Sequence, residues 1–237
     1  ELKTVADTLA VKQYSKIIET ANGYFIIKKT AEKIAGDAEE SHSFSTYLEK
    51  GKTAYKNKNF AKAIDYLEKA VKLEPENQEA HYFLGYAYEL YSDPDGSLLT
   101  ELQRKPIEKA SKHFQKLIEI SPKYEGELLD FHPYDKLTSV WGYLAMAYAY
   151  HGKTDSARWA FKQGRAAGGF YPAILEFNKN ILASCEENAI LFTFGEKVIF
   201  PIWFLRFMEG YRRDVNVVDL SLLNHAWYVK MLKNDDP

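Results

Sequence analysis

The stretch YLEKGKTAYKNKNFAKAIDYLEKAVKLEP, residues 47–75, decides the fold because it contains two helical apolar patterns separated by a short polar turn. Tyr47 and Leu67 are large side chains, one on each pattern, that would fill the space between two antiparallel helices. Pro75 ends the second pattern because proline cannot continue a helix. Small residues stand where the two helices would touch: Gly51, Ala63 and Ala70. The stretch therefore predicts a closely packed pair of helices.

The same pattern recurs further along the chain. Gly85 follows Gly51 at a distance of 34 residues, in a second apolar helical pattern. A third copy keeps the spacings W-x2-L and A-x3-F, and its members are Trp141, Leu144, Ala145, Tyr148, Gly152, Ala157 and Phe161. A helix-pair period of this length with these residues resembles the tetratricopeptide repeat. The resemblance implies a mainly α fold, an antiparallel helix-pair superhelix, and a non-enzymatic role in binding other proteins.

The repeat pattern divides the chain into three predicted parts. We expect an N-terminal helical cap at residues 1–40, three irregular repeat units at 41–180 and a small α/β unit at 187–237. The repeats are irregular because two insertions lengthen the connections, at 91–106 and 123–137. The first insertion contains an Asp-Pro-Asp-Gly turn signal. The cap is predicted from the apolar spacing of the first 34 residues, which would close the end of a helical stack.

The apolar pattern changes after residue 187. Residues 189–194 and 215–220 are short apolar runs that predict buried strands, the second of them rich in β-branched residues. A helical pattern at 200–209 lies between them, and another at 224–232 follows the second run. The order is β-α-β-α. Buried strands joined by a helix predict a parallel pair with a right-handed crossover.

Within this segment, the sequences ENAILFT at 187–193, FPIWF at 200–204 and DLSLLN at 219–224 resemble the soluble region of bacterial protein O-mannosyltransferase-like (DUF2723) proteins. The resemblance implies a bacterial protein with a ligand site in the turn after the first strand. The corresponding turn here is Gly195, Glu196 and Lys197. It has lost most of the family's Asp and Asn residues, so we expect a degenerate site. The transferase chemistry of such proteins belongs to their membrane part.

Charge and hydropathy argue against two classes of partner. The chain has 31 Lys+Arg against 33 Asp+Glu, a net charge of −2, so we expect no nucleic-acid partner because no basic excess would neutralise phosphates. The most apolar stretch, residues 198–208, is shorter than the roughly 20 residues of a membrane helix, so we expect no membrane span. Cys185 is the single cysteine, and the compartment stays open between cytoplasm and periplasm.

Candidates for catalysis are few. Asp130, His132 and Asp135 lie close together in the second insertion and have the chemistry of metal ligands or acid–base groups. Nothing else in the sequence completes a metal-site spacing, and the polarity of a loop accounts for them equally well. Cys185 precedes two glutamates, whose negative charge disfavours the reactive thiolate. We therefore expect no enzyme activity, no cofactor and no metal.

The first helix of each repeat lines the concave face of a tetratricopeptide stack. This rule predicts a groove for a peptide or a helix of a partner protein. The groove residues are Leu48, Lys52, Tyr55, Tyr82, Tyr86, Glu89, Met146 and Tyr150. The sequence leaves an alternative open, in which the insertions or the C-terminal unit fold back and fill this apolar groove.

The C-terminal segment also allows a second function and leaves one structural question open. The alternative function is an accessory or regulatory domain of glycan-transfer machinery, in which Trp203 and Trp227 would stack on a sugar. Core packing accounts for the same two side chains. A two-stranded parallel sheet also has open edges that need a cover. The N-terminal segment, a second copy in a homo-oligomer and a continuation beyond Pro237 would each supply one.

Overall fold

A computed structural model describes residues 14–20, 23–26, 43–93 and 99–233. The chain divides into two compact units, residues 1–42 and residues 43–237.

The first unit contains a short antiparallel ladder. Strand β1 (Ile18–Thr20) pairs with β2 (Gly23–Phe25), and Ile18 lies opposite Phe25. We predicted a helical cap for residues 1–40, and the structure differs in this part because β-branched and aromatic residues favour strands. The rest of the predicted cap lies outside the described residues.

The second unit begins with seven helices in the residues that the structure describes. They are α1 (Phe44–Lys56), α2 (Phe60–Leu73), α3 (Gln78–Ser92), α4 (Arg104–Ile120), α5 (Pro133–Tyr150), α6 (Thr154–Ala166) and α7 (Pro172–Ala183). The most extensive packing joins α1 to α2, α3 to α4 and α5 to α6. The side chains of Ser43, Asn59 and Asn77 cap the first three helices by accepting a hydrogen bond from a backbone N–H of the first turn.

Close contacts within these pairs depend on glycine. A Cβ atom placed on Gly51 would lie 2.5 Å from Cγ of Leu67, and one on Gly85 would lie 2.7 Å from the ring of Phe114. Both distances are too short for real carbon atoms, so each first helix approaches its partner only because the side chain is absent. The 34-residue repeat of glycine therefore has a direct packing cause.

Two of the connections between helices are long. Between α3 and α4 the chain is not helical from residue 99 to residue 103, and residues 94–98 are outside the described part. Residues 121–132 connect α4 to α5 without a helix, and α5 begins at Pro133, a residue favoured in the first helical turn. The predicted second insertion therefore ends in helix rather than loop.

The C-terminal part confirms the predicted β-α-β-α order. Strand β3 (Ile190–Thr193), helix α8 (Glu196–Glu209), strand β4 (Asn216–Asp219) and helix α9 (Ala226–Lys233) follow one another. The two strands are parallel, with Ile190 opposite Asn216 and Thr193 opposite Asp219. Helix α8 packs against α5 and α7, so this part continues the helical stack. The fold is mainly helical with a small sheet near its end, as predicted.

Helix α8 contains Pro201, which removes the hydrogen bond that its nitrogen would donate to the carbonyl of Lys197. The side chain of Asn178, fully buried on α7, donates to that carbonyl at 3.1 Å and to the carbonyl of Ile174 at 2.8 Å. One buried amide therefore satisfies the group that the proline leaves free. None of the helices in the described part of the chain is long and apolar enough to cross a membrane.

Candidate functional site

Residues 123–132, which we call the strap, lie over the side of α3 that we predicted to line the concave face. Tyr82 and Tyr86, one turn apart on α3, hold its backbone. The hydroxyl of Tyr82 accepts from the N–H of Leu129 at 3.1 Å and donates to the carbonyl of Phe131 at 2.9 Å. The hydroxyl of Tyr86 accepts from the N–H of Phe131 at 2.8 Å. Burial raises the pKa of Tyr86 well above its ordinary value, so this hydroxyl stays protonated.

Aromatic contacts fix the strap at both ends. The ring of Tyr124 stacks on that of Tyr82 with centroids 4.7 Å apart, and its hydroxyl donates to the carbonyl of Glu127. The ring of Phe131 receives two ammonium groups, Lys197 at 5.0 Å and Lys136 at 5.5 Å from its centroid. These contacts are favourable because the face of an aromatic ring is negative. The strap is thus anchored by two rings and by its own backbone.

An ion-pair cluster secures the side of the strap that faces α1. The ammonium group of Lys52 lies 2.8 Å from a carboxylate oxygen of Glu127 and 2.7 Å from one of Glu79. Lys56 lies 3.2 Å from the other oxygen of Glu127. Burial alone would lower the pKa of Lys52, but hydrogen bonds to the two carboxylates raise it above its usual range. The hydrogen bond from Lys52 lowers the pKa of Glu127.

Most of the predicted groove residues are therefore covered by other parts of the chain and do not line an open groove. Lys52, Tyr82 and Tyr86 each contact the strap, as described above. Leu48 and Met146 are core residues. Tyr150 packs against Trp227 of α9, with ring centroids 5.7 Å apart. Tyr55 and Glu89 line the cavity described next. The alternative left open by the sequence, a groove filled by the chain's own segments, describes this arrangement.

A cavity of about 280 Å³ remains beside the strap. Helix α1 contributes one tyrosine to it, α3 and α5 contribute polar and apolar groups, and the first residue of α8 closes one side. The residues that line it are Tyr55, Tyr86, Glu89, Leu90, Asp93, Leu99, Leu102, Ile107, Leu129, Asp130, Lys136, Val140, Tyr143 and Glu196. Its volume is near the lower limit for small-molecule sites.

Lys136 is the centre of the polar end of this cavity. Its side chain is only 5% exposed, and its ammonium group lies 2.7 Å from Glu89 and 4.0 Å from Glu196. The hydroxyl of Tyr143 donates to the other oxygen of Glu196 at 2.6 Å. Burial and the nearby charge of Glu196 raise the pKa of Glu89. The positive charge of Lys136 lowers this pKa but only in part offsets the increase. Burial alone would lower the pKa of Lys136, but the two carboxylates raise it above its usual value. The ammonium group therefore stays charged.

The turn that we predicted as a degenerate ligand site is tied into the structure. Gly195 adopts a positive φ of 89° before α8, and its N–H donates to Asp219 at 3.1 Å. Glu196 faces the cavity. The ammonium group of Lys197 lies 2.6 Å from Asp135 on α5. The turn therefore joins the C-terminal part to the repeats.

Sequence reasoning missed two residues. Asp219 is fully buried at the end of β4, where its carboxylate accepts from Thr193, from the N–H of Gly195 and from Ser221. A lone carboxylate at the end of an apolar strand is the signal that would have found it. Lys136 had no such signal, because a lysine in a helix is usually exposed.

Three other residues considered for catalysis or metal binding contact neighbouring parts of the fold. His132 is the residue before α5 and stacks on Tyr134, and Asp135 receives a hydrogen bond from Tyr171 at 3.1 Å. The thiol of Cys185 lies 3.4 Å from the carbonyl oxygen of Ile181. Across the described ranges, no group of three His, Cys, Asp or Glu side chains could hold a metal ion.

The C-terminal sheet has an apolar face that no described residue covers. On β3 and directly after it, Ile190, Phe192 and Phe194 are 62%, 60% and 75% exposed. Leu220, which follows β4, is 46% exposed. Parallel sheets are ordinarily covered on both faces. Here Thr193, Val217 and Asp219 are buried on one face, and the apolar side chains of the other face are exposed.

Comparison with protein families gives two matches. A tetratricopeptide repeat model matches residues 48–106, and a model of TMEM260-associated domain 2 matches residues 174–236. No curated protein matches the chain. The chain therefore contains a tetratricopeptide repeat, which suggests protein partners. The second match covers the segment that resembles DUF2723 proteins, and the match does not show that this segment is DUF2723, so that resemblance stays a prediction.

Proposed function

We propose that this chain is a non-enzymatic protein-interaction module that holds an extended segment of a partner protein on its concave face. The observation that carries the proposal is the pair of hydroxyls of Tyr82 and Tyr86, which bond to the backbone of an extended segment at Leu129 and Phe131. Backbone hydrogen bonds are independent of the bound side chains, so the same groups would hold another extended chain. The tetratricopeptide match supports a role of this class.

The contacts of the strap support a specific chemistry for the bound segment. Lys52 and Lys56 take the carboxylate of Glu127, and the half-buried side chains of Leu129 and Phe131 follow at intervals of two residues. A partner segment that replaces the strap would therefore carry an acidic residue, then an apolar residue two positions later and an aromatic residue four positions later. Alternation by two is the period of an extended chain.

Exchange requires that the strap can leave. Most of its residues are exposed, and within it only Tyr124 is buried. The strap is tethered to α4 and α5, so it competes with an effective concentration of order mM. A partner segment must bind tightly enough to overcome that competition. Weak binding of a free peptide to the wild-type chain is therefore expected, and a variant with a loosened strap should bind it better.

The test uses a fluorescently labelled peptide with the strap sequence KYEGELLDFH and the full chain. In the variant Tyr124→Ala/Phe131→Ala the strap loses both ring anchors, and we expect saturable peptide binding at least about tenfold tighter than in wild type. Adding Tyr82→Phe and Tyr86→Phe should abolish that gain because the rings remain but the hydroxyls are lost. Tyr91→Phe is the matched control, since Tyr91 lies on the same helix and is 54% exposed.

Two outcomes would contradict the proposal. One is a loosened chain that is folded by circular dichroism and does not bind the peptide. The other is binding that a scrambled peptide reproduces or that the two hydroxyl deletions leave unchanged. In either case the tyrosines serve the fold alone.

No described feature favours the glycan-accessory alternative. Trp203 is only 3% exposed, so it offers no face for a sugar. Trp227 packs between Tyr150 and Tyr228. Glu196 and Lys197 are engaged by Tyr143 and Asp135.

A further inference from the structure

The two outer edges of the C-terminal sheet differ. In the described part of the chain this sheet consists of β3 and β4 alone, so each strand has one outer edge. On the outer edge of β4, the N–H of Asp219 donates to the hydroxyl of Tyr228 on α9 at 2.8 Å. No described strand pairs with the outer edge of β3. An open strand edge presents backbone donors and acceptors that can pair with another chain.

The open edge and the exposed apolar row belong to the same residues of β3. The carbonyls of Ala189 and Thr193 accept from N–H groups on the side of β4. Since the backbone groups of successive residues in a strand point to opposite edges, those of Ile190, Phe192 and Phe194 point to the outer edge. The side chains of these three residues are exposed on one face of the sheet.

The sequence of this strand does not protect its edge. Natural edge strands commonly carry a charged residue or a proline, either of which hinders pairing with another chain. Residues 189–194, Ala-Ile-Leu-Phe-Thr-Phe, contain neither. The strand can therefore accept a further strand without placing a charge against it.

The exposed row is also symmetric about Phe192, because apolar residues stand two positions before it and two positions after it. If two β3 strands pair antiparallel about this residue, Phe192 lies opposite its own copy. Ile190 then lies opposite Phe194 of the second copy. Aromatic pairs and pairs of an aromatic with a β-branched side chain are favourable across strands. The strand is thus complementary to itself, as the interface of a symmetric dimer requires.

We propose that the open edge of β3 pairs with β3 of a second copy of this chain, antiparallel about Phe192. The dimer has a continuous four-stranded sheet in the order β4-β3-β3-β4. The paired strands are short, so the interface is smaller than the roughly 1,000 Å² of stable complexes, and we expect a dissociation constant of about 10–100 µM. The monomer therefore predominates in dilute solution.

Sedimentation equilibrium of the full chain, from about 1 to about 500 µM, tests the dimer. Phe192→Lys places two ammonium groups opposite each other and should weaken dimerisation by at least about tenfold. Because Phe192 is exposed, the variant monomer should stay folded, which circular dichroism checks. Phe177→Lys is the matched control, since Phe177 is also 60% exposed but lies on α7, and it should dimerise as wild type does.

Cross-linking tests the register of the pair in a Cys185→Ser background. Phe192→Cys chains should form a disulfide-linked dimer with diamide as oxidant, because Cα atoms of opposite residues are about 5.5 Å apart. Ile190→Cys chains alone should not, because each Ile190 lies about 13 Å from its copy. A mixture of Ile190→Cys and Phe194→Cys chains should cross-link, since these two positions are opposite each other.

Three results would overturn the proposal. A chain that stays monomeric across the whole concentration range does so, and it leaves the edge to a strand of another protein. A dimer that Phe192→Lys leaves intact does so as well, because the contact then lies elsewhere. The third is cross-linking of Ile190→Cys chains as fast as that of Phe192→Cys chains, which would exclude the antiparallel register.

Discussion

The concave face of the repeats and the outer face of the C-terminal sheet contrast sharply in how their apolar side chains are covered. On the concave face, Tyr82 and Tyr86 are 0% and 4% exposed under the strap. On the sheet, Phe192 and Phe194 are 60% and 75% exposed. Periodicity identifies the side of an element on which a residue lies, but it does not identify what covers that side. The strap covers Tyr82 and Tyr86, an arrangement that the sequence left as an alternative to an open groove, and the strands expected to be buried have one exposed apolar face.

The largest expected difference in stability is between two aromatic-to-alanine substitutions, one in each region. Tyr82→Ala removes a buried ring and the contact with the strap, so we expect a loss of about 3–5 kcal/mol in the free energy of unfolding. Phe192→Ala should change it by no more than about 0.5 kcal/mol. Urea unfolding measures both. Equal losses would show that the sheet face is covered in solution and would remove the contrast.

The next largest loss of stability is expected from removing the buried charge of Lys136. Lys136→Met leaves Glu89 without its partner, and we expect a loss of about 3 kcal/mol because an uncompensated charge stays buried. Lys179→Met, which breaks the surface pair with Glu209, should cost less than about 1 kcal/mol. The measurement is again urea unfolding at neutral pH. A Lys136→Met chain as stable as wild type would show that Glu89 takes up a proton at little cost.

Acid should weaken the repeats through two buried histidines. Nε2 of His81 lies 2.9 Å from the carbonyl oxygen of Pro75, so its Nδ1 is free to accept from Nδ1–H of His113, also at 2.9 Å. This arrangement requires the His81 ring to be neutral, because its Nδ1 must accept. Burial lowers the pKa of His81, and burial with the neighbouring His81 lowers that of His113 to about 3.

The unfolded chain therefore binds more protons than the folded chain below the usual histidine pKa of about 6.5. Stability from His113 is complete above that pH and is lost as the pH falls towards 3, with about 2 kcal/mol lost by about pH 5. His113→Gln should remove this part of the pH dependence, which unfolding at two pH values measures. Hydrogen exchange in acid should increase first in α3 and α4. Faster exchange in the sheet would contradict this, because the described C-terminal part has no buried histidine.

A smaller effect is expected where α8 joins the stack. Asn178→Leu leaves the carbonyl of Lys197 without a donor and should cost about 1–3 kcal/mol. Pro201→Ala restores a backbone N–H for that carbonyl, so the double variant should be more stable than Asn178→Leu alone. A double-mutant cycle in urea measures the coupling. Strictly additive effects would show that the asparagine does not compensate for the proline.

The smallest effect concerns the ion pairs of the strap. Glu127→Gln removes the charge that pairs with Lys56 and one of the two carboxylates that pair with Lys52, and we expect a loss of about 0.5 kcal/mol in the free energy of unfolding at low salt that declines as salt is added. Thermal unfolding at two ionic strengths measures it. A loss as large as that from Tyr82→Ala would show that charge rather than aromatic packing holds the strap.

Much of the fold could be predicted because it depends on local patterns. Gly51 and Gly85 mark the helix pairs, and the alternation of apolar runs after residue 187 marks the β-α-β-α order. The site was harder to predict. The strap contacts join Tyr82 to Leu129 and Phe131 across more than forty residues, and the ionic partners of the buried Lys136 lie on two other helices, α3 and α8. No local pattern encodes such pairings, since they depend on which distant segments meet.

The contact between Gly142 and Phe200 has a consequence for how the molecule unfolds. A Cβ atom on Gly142 of α5 would overlap the Phe200 ring of α8, so the two helices share one tightly packed interior. The two family matches leave residues 107–173, which include α5, outside both. The middle of the chain is thus the part on which both ends depend. A cut on either side of α5 would leave neither piece with a complete core. Residues 43–237 should melt in one cooperative transition, with equal calorimetric and van't Hoff enthalpies.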